Sequence, residues 1–105
     1  LIYSVLRRTL REGVTFEQFR TAWTPPEGLD HADFTVIHAR SLTDERQILS
    51  VGVHDMGADE FAAFAGSDAF AAINQVRHEQ LAPLVEEADG FLGAFEVVEG
   101  DHISL

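Results

Sequence analysis

Two histidines in strand-like surroundings, His38 and His54, carry the clearest acid–base chemistry in this chain. A neutral imidazole takes a phenolic or α-carbonyl proton near pH 7, the step that opens a carbanion-forming oxygenation or an aldol cyclisation. Arg7 and Arg40 supply charge that would anchor a carboxylate or hold an enolate oxygen, and Tyr3 would donate a hydrogen bond to the same oxygen. Asn74 and His78 form an i, i+4 pair and share a helix face, where Asn74 would position a substrate carbonyl or dioxygen. Phe34 and Trp23 complete the binding set as apolar lining.

Each of these residues also has a plainer reading. Strand histidines are often only half exposed, arginines pair with surface acids, and an i, i+4 polar pair can simply face water. A tryptophan that ends a helix is commonly core or interface. Metal chemistry has less support, because a site needs a third ligand and none falls at a recognised spacing. His31, in the loop before the central strands, would join only by accident of folding. With no cysteine there is no disulfide framework, thiolate zinc site, iron–sulfur cluster or cysteine nucleophile. The glycines are scattered singly and build no phosphate loop, no Ser-His-Asp order is recognisable, and no cofactor is expected.

The elements that must position these groups follow from periodicity. Ile2 to Leu10 is rich in strand formers and ends at a Glu12-Gly13 turn. Thr15 and Gln18 have the spacing of a capping box, and Phe16, Phe19, Ala22 and Trp23 then mark one helical face, stopped by Pro25 and Pro26 before the Gly28 turn. Two strand-like runs, Ala32 to Leu42 and Arg46 to Met56, flank the short loop Thr43-Asp44-Glu45 and predict a hairpin. A short helix over Asp59 to Ala65 breaks at Gly66. Ser67 and Asp68 then cap a long helix expected to reach Ala88, with a kink at Pro83. Phe91 to Val98 is the last strand.

The order strand, helix, strand, strand, helix, strand predicts an α+β, ferredoxin-like βαββαβ fold. Its four-stranded antiparallel sheet carries both helices on one face, within a single domain over residues 1–105. Alternation divides the central hairpin into two sets. Thr35, Ile37, Ala39, Leu49, Val51 and Val53 are apolar enough to lie under the helices. Phe34, Val36, His38, Arg40, Ile48, Ser50, Gly52 and His54 then fall on the uncovered face, together with Tyr3 and Arg7, while strand four fits either way. Large apolar groups mixed with a few polar ones are the composition of a small-molecule pocket. A second copy laid over that face would close the pocket, and a bare dimer interface is the competing reading.

The chain holds 18 acidic residues against 7 basic ones, all arginine, for a formal net charge of −11. Such a chain is repelled by phosphate backbones and anionic bilayers, so neither nucleic acid nor a membrane is expected as a partner. No apolar run is long enough to span a bilayer. Arginines interrupt Leu1 to Leu10 where a signal peptide would be apolar, which leaves the cytoplasm as the default compartment.

In length and element order the chain resembles the dimeric α+β barrel superfamily, which includes the antibiotic-biosynthesis monooxygenases. The local resemblance lies in Thr15-Phe16-Glu17-Gln18-Phe19 through Trp23 and in Ser67-Asp68-Ala69-Phe70. It implies a homodimer whose paired sheets form a barrel with one site per subunit. The C-terminal residues Asp101 to Leu105 would then be free to reach across the partner. It also implies one of several activities on a small hydrophobic or aromatic ligand: cofactor-independent oxygenation of polyketide-type phenols, cyclisation, isomerisation or haem breakdown. Some members have no known activity, so a non-catalytic ligand-binding or structural dimer stays open. Haem is disfavoured, because Asn74 stands where the haem-degrading branch has an iron-ligating histidine and Phe64 where it has a tryptophan. His78, one turn on, is the alternative ligand.

Overall fold

The computed structural model of the chain describes residues 1–24, 34–86 and 90–104. His31, Pro25, Pro26, Gly28, Glu87, Ala88 and Leu105 lie outside the described residues. The elements run β1 (Ile2–Thr9), α1 (Phe16–Trp23), β2 (Thr35–Arg40), β3 (Gln47–His54), α2 (Ala58–Ala65), α3 (Asp68–Leu81) and β4 (Gly90–Glu96). The strands form one sheet in the order β2-β3-β1-β4, and every neighbouring pair is antiparallel. This is the expected α+β ferredoxin-like arrangement, with its second crossover split into two helices.

Local chemistry explains the boundaries. Thr15 Oγ1 accepts from the Gln18 amide at 3.2 Å and Gln18 Oε1 accepts from the Thr15 amide at 2.8 Å, a completed capping box that starts α1. Ser67 Oγ accepts from the Phe70 amide at 3.2 Å and starts α3. In the β2–β3 hairpin, Ser41 Oγ accepts from the amides of Thr43 and Asp44, and Asp44 Oδ1 from that of Arg46, so the loop's own side chains satisfy its backbone. The expectation of a helix continuing to Ala88 through a kink is corrected: α3 ends at Leu81. Pro83 has no amide hydrogen to continue the ladder, and the chain turns there. Val85 then bridges Leu10, while the Glu86 amide donates to Thr9 O at 2.9 Å and the Arg11 amide to Leu84 O at 2.8 Å.

The central correction concerns the two faces of the sheet. Ile48, Ser50, Gly52 and His54 alternate as the buried residues of β3, whereas in β2 Thr35, Ile37 and Ala39 are exposed and Val36 and His38 between them are half-buried, with Ile37 at 53 %. The set containing both histidines therefore lies under the helices, and the more apolar set with Leu49, Val51 and Val53 lies on the open face. Hydrophobicity alone pointed the wrong way because the helix-facing layer is not a filled core. Serine and glycine at positions 50 and 52 leave room there. The close-packed core sits to one side, where Leu10, Phe19, Ile48 and Leu81 meet under Val14, Phe16, Ala22, Trp23 and Val85.

Register settles strands one and four. Tyr3 pairs with Val53 and Arg7 with Leu49, so both lie on the open face, away from the histidines they were expected to join. Ser4, Leu6 and Arg8 face the helices. In β4 a bulge between Val5 and Leu6 skips Leu92, with Gly93 at a φ of 155°, so that Phe91 and Ala94 turn toward the helices and Phe95 outward.

Candidate functional site

Between the sheet and helices α1 to α3 lies a cavity of about 810 Å³. That is ample for a small aromatic molecule. Its sheet-side wall is built from the positions where β1 and β3 carry small residues, Ser4, Ser50 and Gly52, beside His54 and Val36. The helices contribute Trp23, Phe61, Phe70, Asn74, Arg77 and His78. Sequence alternation puts the small side chains on the same face, and the helices stand off over them.

His54 is 2 % exposed and sits among phenyl rings, with ring centroids 4.5 Å from Phe34, 5.1 Å from Phe61 and 6.3 Å from Phe64. Its Nε2 and Ser4 Oγ share a hydrogen bond of 3.0 Å, while its Nδ1 is buried and has no hydrogen-bond partner among the described residues. Burial in this apolar setting lowers its pKa below the ordinary value of 6.5, so the ring is neutral at pH 7. Gly52 makes this arrangement fit. A Cβ there would stand 2.5 Å from Ser4 Oγ and 2.9 Å from His54 Nε2.

His38 lies behind the cavity wall. Phe16, Phe19 and Trp23 pack around it edge-on at centroid distances of 6.0, 5.4 and 5.0 Å, and its Nδ1 is 2.7 Å from Ser50 Oγ. Burial lowers its pKa first, and the positive charges of Arg8, Arg20 and Arg77 lower it further. The two histidines are thus on one face but not in one site: His54 lines the cavity and His38 reaches it through Ser50.

The cavity collects His54, Asn74, His78, Phe34 and Trp23 from the candidate residues. It does not collect Arg7 and Tyr3, on the other side of the sheet, or Arg40. Arg40 is exposed, 5.9 Å from the Phe16 ring, and lines a separate open depression between the β1–α1 turn and the β2–β3 hairpin. Among the described residues no three His, Asp or Glu side chains converge on a metal site.

Three arginines of the cavity were not singled out from the sequence, Arg8, Arg11 and Arg77. Alternation carries Arg8 to the helix side with Ser4 and Leu6. Arg77 stands between Ile73 and Leu81 at i±4, inside the buried stripe of α3, where an arginine is conspicuous. Its guanidinium carbon lies 4.0 Å from the Trp23 ring centroid and its Nε donates to Trp23 O at 3.3 Å. Burial, with Arg8 nearby, pushes its pKa down to about 10, so it remains a cation at neutral pH. Glu86 pairs at 3.4 Å with Arg46 in an exposed contact at the cavity's edge.

No helix among the described residues is long and apolar enough to cross a membrane. No family model matches this chain, and no curated protein matches it. Among solved structures, the chain is similar to a protein from Bacteroides fragilis NCTC 9343, described as a dimeric protein of unknown function and ferredoxin-like fold. The two share 14% identity at a TM-score of 0.49, over 91% of this chain and 95% of that one.

Proposed function

We propose that the cavity is the active site of a cofactor-independent oxygenase acting on a small aromatic, polyketide-type compound, with the chain paired as a homodimer through its open sheet face. The observation that carries this reading is His54, a buried neutral imidazole that lines the cavity and keeps one ring nitrogen without a partner. With its proton on Nε2 and directed at Ser4 Oγ, the lone pair on Nδ1 is the available base. An unsatisfied buried nitrogen is costly, and a substrate proton relieves that cost.

In this mechanism an activated C–H of a hydroxyaromatic substrate gives its proton to His54. The carbanion passes one electron to dioxygen, and the radical pair combines to a peroxide that takes the proton back. Loss of water from the hydroperoxide leaves a new carbonyl, so one oxygen atom enters the product and the other leaves as water. Phe34 and Phe61 would flank the substrate ring, and Asn74 would hold a substrate carbonyl. Dimerisation is supported by the apolar residues standing outward from the sheet, where Ile37 is 53 % and Phe95 55 % exposed, a surface that a second copy would cover.

The test is oxygen uptake with 1,8-dihydroxyanthrone, whose acidic methylene is oxidised to a coloured quinone. Wild-type protein is expected to accelerate uptake, and His54→Gln to lower the rate about 100-fold or more, the range for loss of a general base. Equal rates for the two proteins would remove His54 as the base. A cyclase or isomerase would turn over its substrate without consuming oxygen.

A further inference from the structure

We infer that the ligand of this cavity is an anion, an aromatic carboxylate whose acid group seats on Arg77; this rests on the reading of the cavity as a ligand site. The guanidinium is held in a fixed plane, stacked on Trp23 at 4.0 Å and tethered through Nε to the Trp23 carbonyl. Both terminal amino groups are left without a hydrogen-bond partner among the described residues, on a side chain that lines the cavity. A planar fork with spare donors matches a carboxylate, and its pre-set orientation spares the ordering that binding would otherwise cost.

The surroundings favour the same sign of charge. Arg8 and Arg11 also line the cavity, and the one carboxylate among its described lining residues, Glu86, is engaged by Arg46. Arg11 is directed to backbone carbonyls, donating to Val85 at 3.0 Å and Ala82 at 3.4 Å, so it frames the cavity's end while Arg77 keeps donors for a ligand. A half-buried arginine midway along a helix's packed stripe carries a desolvation cost that the Trp23 contacts offset in part and a bound anion would offset further. In a chain of net charge −11 this cationic lining is not a by-product of composition. The apolar walls around Phe34 and Phe61 would take the ring that the carboxylate carries.

Matched probes test the idea: 2-naphthoate and 2-naphthamide share shape and differ in charge. Trp23 is the chain's single tryptophan, so its indole N–H gives one unambiguous NMR signal inside the cavity. The expected result is a shift of that signal by both probes, with naphthoate binding about 10-fold or more tightly. Arg77→Gln should bring the two affinities within about 2-fold while naphthamide still binds, and Arg77→Lys should keep part of the preference. A shift of the wild-type Arg77 Nε–H signal on adding naphthoate needs no variant, and its absence counts against the proposal. Equal affinities in the wild type, or a preference that survives Arg77→Gln, overturn the anion inference and leave the ligand site standing. If neither probe moves the Trp23 signal, the ligand-site reading fails, and this inference with it.

Discussion

Nδ1 of His38 stands 2.7 Å from Oγ of Ser50, and of this pair only Ser50 lines the cavity. The imidazole is enclosed by the aromatic residues of α1, so it fixes the serine hydroxyl from behind. Ser50→Ala leaves this half-buried nitrogen without its partner and is expected to cost about 1 kcal/mol in urea unfolding. A double-mutant cycle with His38→Phe measures the link. A coupling under about 0.5 kcal/mol would show the two side chains to be independent.

Acid should weaken the fold through both histidines. Their folded-state pKa values lie below 6.5, so between the two values the unfolded chain binds more protons and stability rises with pH. The contribution is complete above pH 6.5 and is lost as the pH falls from there through the folded values. Thermal melts between pH 7.5 and 5 should show this decline, and His38→Gln or His54→Gln should flatten it. Imidazole proton shifts in NMR give the midpoints directly, and a midpoint above 6.5 for either ring contradicts the packing described.

Gly52→Ala should be far more damaging than its single added methyl implies. The new carbon would meet Ser4 Oγ at 2.5 Å and His54 Nε2 at 2.9 Å, in a strand with neighbours on both sides. A loss of about 1–3 kcal/mol is expected, together with a shifted His54 resonance. Gly100→Ala, with nothing within 4 Å of its added carbon, is the control and should melt like wild type.

Ile37→Asp places a charge on the open sheet face, midway along the edge strand β2 and opposite Val51. Sedimentation velocity at micromolar concentration should show a dimer for the wild type and a monomer for the variant, with the far-ultraviolet circular dichroism of the two alike. A variant that still sediments as a dimer would move the contact to another surface.

Much of the architecture was legible in the sequence because local rules and tertiary demands agree there. The Thr15–Gln18 capping box, the break at Gly66, the Ser67 cap and the hairpin over Thr43 to Glu45 each rest on side-chain chemistry within a few residues. The inside and outside of the sheet were not legible. Leu49, Val51 and Val53 are more apolar than Ile48, Ser50 and His54, and a rule that buries the most apolar face puts the wrong one under the helices. That rule fails where one face borders a cavity with polar walls. Inverting the faces separated Tyr3 and Arg7 from His54. The position of Arg77 between Ile73 and Leu81 was visible in the spacing, and its stacking on Trp23 was not, because that contact joins two helices far apart in the chain.

The central place of β1 has a consequence for how the protein is made. Ile2 pairs with His54 on one side and Glu96 on the other, and the turn after the strand is stitched to Leu84 and Val85. Of the four strands β1 leaves the ribosome first, yet neither of its neighbours exists until much later in synthesis. The nascent chain must carry β1 unpaired until β3 has been made, and the sheet closes only when β4 emerges. Long-range closure of this kind is slow. Arg7 and Arg8, near the end of that waiting strand, put charge where a purely apolar segment would invite premature association.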